Sequence, residues 1–217
     1  MRLLVSAGPT REFIDPVRFL SNRSTGKMGY AVARAGVEAG HETALVSGPV
    51  ALDAPEGLAA LDRVVTARDM LAALERRLEW CDALVMTAAV ADFRPAEEAP
   101  SKIHKGAMPA ALRLVPNPDI LAALLPRKGR RVFVGFAAET DDALASAAEK
   151  MRRKGLDMIV ANDVTRPGAG FGTDTNEAAI LVPGSRPEAL PLMPKLDLAR
   201  LIVARAAQLA ADARRNA

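Results

Sequence analysis

Four short stretches concentrate side chains suited to chemistry on anions. Ser21 to Gly29, Ser-Asn-Arg-Ser-Thr-Gly-Lys-Met-Gly, joins a polar, proline-containing loop to a segment in which Met28, Ala31, Val32, Ala35 and Ala39 recur at helical spacing. Hydroxyl side chains and two glycines at a helix start leave backbone N–H groups open at the positive end of a helix dipole, an arrangement that attracts anions. A capped helix behind a glycine turn has the same composition, and the stretch alone fits both. Lys102, His104 and Lys105 form a basic cluster within a segment broken by Pro95, Pro100 and Pro109. Asn117-Pro118-Asp119-Ile120 has the order of a helix start, with Asn as N-cap, Pro at the first helical position and Asp in the first turn. Lys150 and Lys154 stand four apart, hence on one helix face, near a C-terminus where the dipole favours cations.

The elements that must position these groups alternate. Short apolar runs at Leu3–Ser6, Glu42–Val46, Val64–Val65, Ala83–Thr87, Val132–Gly135 and Met158–Val160 have the pattern of buried strands. Helices are expected from the opening stretch to Gly40, after a Thr66/Asp69 capping box with Met70, Leu71, Leu74 and Leu78 on one face, and from a Thr140 cap through Leu144, Ala147, Ala148 and Met151 to Gly155. A turn-rich loop, Arg166 to Asn176, brings Asp174 and Asn176 within reach of a ligand. Two further strands follow, Ala178–Val182 and Glu188–Met193, and Pro194 opens a last helix. The pattern predicts an α/β fold in one domain over 1–217: a Rossmann-like, mostly parallel sheet with helices on both faces, and a C-terminal strand pair. Residues 93–113 break the alternation, as either a flap over an anionic ligand or a solvated loop.

In such a sheet ligands bind outside the carboxyl ends of the strands. Gly8-Pro9-Thr10-Arg11, Ala88 to Asp92, Phe136 to Thr140 and Asn162-Asp163 all follow strands directly. Four polar or glycine-bearing clusters on one edge favour a small-molecule site. The dinucleotide fingerprint Gly-x-Gly-x-x-Gly does not follow the first strand, and a P-loop ending at Gly26-Lys27 would require glycine at Ser21 and a hydroxyl at Met28. Electrostatics and positioning by Lys, Arg, Asn and backbone donors are the chemistry left.

Composition narrows the partners. Half of the 217 residues are apolar, enough for a sizeable core, and 29 basic residues interleave with 26 acidic ones for a net charge of +3. Without a basic stripe, and with a single tyrosine and tryptophan, nucleic acid is not an expected partner. The lone Cys81 excludes an intramolecular disulfide and a multi-cysteine metal site, and its place beside Trp80 before an apolar run predicts a buried thiol. The N-terminal apolar run is too short for a signal sequence and none approaches a membrane span, so a cytoplasmic protein is expected.

Gly-Pro-Thr-Arg-Glu, Asp-Pro-Val-Arg and the Ser21–Gly29 stretch together resemble bacterial phosphopantothenate–cysteine ligase of coenzyme A biosynthesis. The likeness continues through Ala-Ala-Val-Ala-Asp-Phe-Arg-Pro, Lys-Ile-His-Lys, Asn-Pro-Asp-Ile, Gly-Phe-Ala-Ala-Glu-Thr, Ala-Asn-Asp-Val and Gly-Phe-Gly-Thr-Asp, in the family's order over nearly the whole chain. The resemblance implies a homodimer that activates 4′-phosphopantothenate with CTP as an acyl-cytidylate, releasing pyrophosphate, and then displaces CMP with the amine of L-cysteine. Carried over by position, Asn22 is the catalytic asparagine and Lys102 the flap lysine that closes on the triphosphate. Asp92, Lys102, Asn117, Pro118, Asp119, Ile120, Phe136, Lys150 and Lys154 fall at nucleotide-contacting positions. Arg18, Asn22, Ala88 and Ala89 fall at positions for phosphopantothenate, shared across the dimer. Mg²⁺ is implied on the triphosphate, with no protein cage of its own. His104 stands where many members carry lysine, so the flap's charge is expected either to vary with pH or to leave His104 a spectator. Many relatives carry a decarboxylase on the N-terminal side, so the ligase is either free-standing or a domain of a longer enzyme. Two other readings share the fold class: an NAD(P)-dependent oxidoreductase, which the missing fingerprint disfavours, and a nucleotide-binding module without catalysis.

Overall fold

The structure, a computed structural model, describes residues 1–107, 111–139, 143–163 and 172–215. The chain runs through β1 (Arg2–Ala7), a small hairpin of β2 (Arg11–Phe13) and β3 (Phe19–Ser21), α1 (Lys27–Glu38), β4 (Glu42–Ser47), β5 (Ala60–Arg63), α2 (Ala67–Leu78) and β6 (Ala83–Met86). It continues through a ribbon of β7 (Phe93–Pro95) and β8 (Leu114–Pro116), α3 (Ile120–Leu124), β9 (Val132–Glu139), α4 (Ala143–Arg153), β10 (Met158–Asp163), β11 (Thr175–Leu181), β12 (Glu188–Pro194) and α5 (Lys195–Arg215). Eight strands form the central sheet in the order β12-β11-β10-β9-β6-β1-β4-β5. The six from β10 to β5 are parallel, and β11 and β12 add antiparallel at one edge. The mostly parallel, Rossmann-like sheet and the C-terminal strand pair are therefore as expected.

Period-two alternation divides the core between the layers. Along β1, Leu3, Val5 and Ala7 pack with α1 and α5, whereas Leu4 joins α2, α3 and α4 on the other face. Because β11 reverses the chain and β12 reverses it again, α5 begins at the same carboxyl edge of the sheet as α1. At the opposite edge, Asp82 accepts from the Arg2 backbone N–H (2.6 Å) and pairs with the guanidinium groups of Arg2 (3.5 Å) and Arg214 (2.7 Å), joining the two ends of the chain.

Local chemistry explains where elements depart from the sequence pattern. The capping box of α2 forms, with Thr66 Oγ1 accepting from Asp69 N–H (3.1 Å) and Asp69 accepting from Thr66 N–H (2.9 Å). Buried Glu12 on β2 takes the Ala67 N–H at 2.9 Å, so the hairpin is fastened to the same helix end. The third parallel strand lies at Ala60–Arg63 instead of Val64–Val65: at the sheet edge only half of each strand is buried, so no continuous apolar run marks it. The N-cap of α3 is Asp119, whose Oδ1 accepts from Ala122 N–H (3.1 Å), and not Asn117, whose amide is drawn away to the Ala91 carbonyl (2.8 Å). The hairpin β2–β3 and the ribbon β7–β8 fall where loops were expected. Thr140, the expected cap of α4, lies outside the described residues. Cys81 is buried as expected, and burial raises its thiol pKa to about 12.

Helix α1 lies nearly flush on the sheet because Gly29 carries no side chain. A Cβ there would stand 2.3 Å from Thr87 Oγ1 and 2.5 Å from Ala7 Cβ. A glycine-to-alanine change inside a helix ordinarily stabilises by roughly 1 kcal/mol. Gly29→Ala is instead expected to destabilise by about 1–3 kcal/mol through overpacking. A urea-unfolding midpoint equal to or above wild type would show that α1 has room to lift.

Candidate functional site

The parallel strands in the order β5-β4-β1-β6-β9-β10 spread in one direction from β1 and in the other from β6. Between those two strands lies the topological switch point, where open α/β sheets bind ligands. Its floor is built by two loops that extend the β1–β6 pairing past the strands. Ala89 N–H donates to Gly8 O (3.0 Å), Ala91 N–H to Thr10 Oγ1 (3.0 Å), and Pro9 pairs with Ala89 as a parallel bridge. Of the four strand-end clusters, Gly8 to Arg11 thus braces the floor from beneath.

Above it opens a crevice of about 1180 Å³. Residues 24 to 29 form one wall, with Gly26 as N-cap of α1 at φ 79 and no side chain capping the helix. The first-turn N–H groups of α1 are therefore left for solvent or a ligand. Thr87 to Asp92 form the next wall, and Asn22 is tied to it: Nδ2 donates to the carbonyls of Ala89 and Val90, both at 3.1 Å. Two carbonyl partners fix the amide orientation, so Oδ1 is left as the acceptor.

On the opposite layer, Asn117, Pro118, Asp119, Ile120, Lys150 and Lys154 line the crevice, and Phe136 lines it from the end of β9 with its ring packed on the α1/α5 side. Lys150 Nζ donates to the Phe136 carbonyl at 2.7 Å, and buried Lys154 pairs with Asp119. Burial lowers the Lys154 pKa, while the charge of Asp92 works against that shift. The structure brings Asn22, Ala88, Ala89, Asp92 and this group into one cavity. It does not bring Arg18 or Lys102 to the cavity wall.

Those two belong to the 93–113 segment, which the sequence leaves open as either a flap or a solvated loop, and to the anchor that holds it. Asp15, fully buried, accepts from the N–H groups of Val17 (2.9 Å), Arg18 (2.8 Å) and Ile103 (3.1 Å) and pairs with the Arg18 guanidinium at 2.8 Å. Arg18 also donates to the Ile103 carbonyl, so both backbone groups of the residue after Lys102 are held. Lys102 itself is exposed. Burial alone would raise the Asp15 pKa, but the N–H donors of Val17, Ile103 and Arg18 and the Arg18 charge bring it down to about 2.

Glu149, Arg153 and Lys195 line the wall without any sequence motif, whereas Asn162 belongs to a strand-end cluster and Asn176 to the turn-rich loop that the sequence marks. Glu149 and Arg153 share the crevice face of α4 with Lys150, as their i, i+3 and i+4 spacing allows. Asn162 at the end of β10 is 8% exposed and its Oδ1 has no hydrogen-bond partner among the described residues, an acceptor left over on the crevice wall. Lys195 and Asn176, both buried, close the far end. Among the described residues no group of three or more His, Cys, Asp or Glu side chains is gathered to hold a metal ion.

Comparison with known proteins agrees with this architecture. Residues 1–209 match the DNA/pantothenate metabolism flavoprotein C-terminal domain. The coenzyme A biosynthesis bifunctional protein CoaBC of Bacillus subtilis is 47% identical over 196 residues, covering 90% of this chain and 48% of that protein. The CoaBC protein of Escherichia coli K12 is 44% identical over 180 residues, covering 81% and 44% respectively. The chain thus spans about half the length of these relatives. Among solved structures, the C-terminal domain of a CoaBC protein superposes with a TM-score of 0.83 at 38% identity, over 97% of this chain and 96% of that one.

The Asp15 anchor leads to a prediction about the flap. A carboxylate with a depressed pKa contributes stability that is present above the ordinary value of 3.8 and lost as pH falls through about 2. Hydrogen exchange at the Ile103 amide should therefore stay slow down to the ordinary carboxylate range and accelerate only near pH 2. Asp15→Ala should free the flap at neutral pH, seen as faster tryptic cleavage after Lys102 and Lys105. Cleavage at the wild-type rate would mean that the flap is held elsewhere.

Proposed function

The chain belongs to the DNA/pantothenate metabolism flavoprotein C-terminal domain family, and on that premise we propose that it joins 4′-phosphopantothenate to L-cysteine at the expense of CTP. The observation that carries this reading is a single crevice with cations on both layers of the sheet and Asn22 fixed on the loop between them. A carboxylate is a poor acyl donor until its oxygen becomes part of a good leaving group. It can acquire one from a nucleoside triphosphate only where positive groups neutralise the repulsion between the two anions.

In the first step a carboxylate oxygen attacks the α-phosphorus, and the bond to the bridging oxygen breaks to release pyrophosphate. Lys150, Lys154 and the first turn of α3, with Asp92 and Phe136 nearby, hold the nucleotide, and Lys102 reaches the triphosphate when the flap closes. In the second step the cysteine nitrogen attacks the acyl carbon, CMP leaves with the bonding electrons, and the nitrogen loses a proton. Asn22 stands beside the carbonyls of Ala89 and Val90, and its Oδ1 can accept from the incoming amine while the Ala88–Ala89 turn positions the acyl chain. Mg²⁺ suits this wall, because Asp92 and Glu149 offer the one or two hard oxygen ligands that an ion carried on phosphates needs. Bound there, it would neutralise the triphosphate.

A homodimer completes the proposal, with Arg18 contributing to the phosphopantothenate site across the interface. Val17, Phe19, Phe93 and Leu114, each at least 40% exposed, all lie on the two small hairpins, which gives a second copy an apolar surface to cover. A cytoplasmic setting belongs to the same reading. Among the described residues no helix is long and apolar enough to cross a membrane.

Pyrophosphate release from CTP should require phosphopantothenate but not cysteine, whereas CMP release should require cysteine. No turnover of CTP with both acyl substrate and cysteine present would sink the proposal, and parallel assays with ATP, GTP and UTP establish base choice. Lys102→Gln should slow pyrophosphate release. Asn22→Asp sets a carboxylate oxygen against two carbonyl oxygens and should slow CMP release more than pyrophosphate release, so that the acyl-cytidylate accumulates. Wild-type rates for either variant would remove the role assigned to that residue.

A further inference from the structure

Helices α1 and α5 begin side by side at the carboxyl edge, and each has lysine at its first position, Lys27 and Lys195. A helix dipole disfavours a cation there. Both ammonium groups nevertheless turn to the same short segment, in which Gly172 and Asn176 line the crevice and Asp174 lines the groove that adjoins it beside Tyr30 and Arg34. Lys27 Nζ donates to the Gly172 carbonyl (3.0 Å) and pairs with Asp174 (2.7 Å). Lys195 Nζ donates to the Thr175 carbonyl (2.8 Å), Asn176 Oδ1 (2.5 Å) and Thr173 Oγ1 (3.3 Å). The two lysines sit on the α1/α5 layer, across the sheet from Lys150 and Lys154.

We propose that Lys27, backed by the charge of Lys195, forms a subsite for a doubly charged phosphate group, and that Asp174 is its built-in stand-in, holding Lys27 until the phosphate takes its place. The Asp174 side chain is 87% exposed, so its ion pair is a weak surface contact that a better anion can exchange. A phosphate monoester carries close to two charges at neutral pH and offers three acceptor oxygens, against the single charge of the carboxylate. The open first-turn N–H groups of α1 add donors on the same side. Burial and the neighbouring Lys27 lower the Lys195 pKa to about 8, against the pull of Asp174. The identity of the ligand rests on the ligase reading: the phosphate is either the monoester of the acyl substrate or the terminal phosphate of the triphosphate.

Calorimetric titration with inorganic phosphate at low ionic strength tests the subsite without any turnover. Asp174→Asn should bind phosphate roughly two- to fivefold more tightly than wild type, the worth of an exposed ion pair, and Lys27→Met should bind it more weakly. Equal affinities for the three proteins would overturn the proposal. Tighter binding by Asp174→Asn in a protein that never releases pyrophosphate from CTP would leave the subsite standing and remove only the ligase reading. In an active enzyme, a lower KM for phosphopantothenate in Asp174→Asn identifies the monoester as the occupant, and a lower KM for CTP identifies the triphosphate. No change in either KM would overturn the assignment of the subsite to a substrate.

Discussion

With no side chain at Gly29, the first turn of α1 rests almost directly on Ala7 and Thr87, at the point where β1 and β6 part. That contact sets the height of the uncapped helix start above the floor and so fixes one wall of the crevice. It also sets α5, which packs along α1 on the same layer and begins beside it. The floor depends on the same place: the loops after β1 and β6 stay paired only because their strands are held in register beneath the helix. Asn22 in turn is oriented by carbonyls of that floor. A single missing Cβ is thus coupled to the uncapped helix start, the position of the asparagine amide and the placement of Lys195.

Much of the fold was legible because buried parallel strands carry unmistakable signals. Leu3 to Ser6 and Ala83 to Thr87 are apolar on both faces because both faces are covered, and the Thr66–Asp69 box marks a helix start by its own hydrogen bonds. Signals failed where burial is partial. The edge strand Ala60–Arg63 and the three-residue strands of the two hairpins mix charged, proline and apolar residues, because solvent covers one side of them. Tertiary contact overrode local preference at Asn117, which had the chemistry of an N-cap but served the Ala91 carbonyl while Asp119 capped the helix.

The site was legible in a different way. Asn22, Asp92, Lys150 of α4 and Lys154 just past its end are brought together because the sheet places loops that are distant in sequence on one edge. Lys195 gave no signal, since a lysine opening an alanine- and leucine-rich helix reads as a solvated residue. Only the double reversal through β11 and β12 carries it to the carboxyl edge, and such a reversal becomes meaningful only once strand order is known. Arg18 and Lys102 show the converse. The family resemblance assigned them ligand contacts; in the structure Arg18 is bound to Asp15 and to the Ile103 carbonyl, which holds the segment that carries Lys102.

Asp82 gathers Arg2 and Arg214 at the edge of the sheet opposite the crevice. Both ends of the described chain therefore leave the domain at its back, about one strand length from the chemistry. Polypeptide appended at either end would be tethered to the side of the sheet that faces away from the crevice. The domain is in this sense a cartridge: polypeptide can be joined to it without crossing the mouth of the crevice.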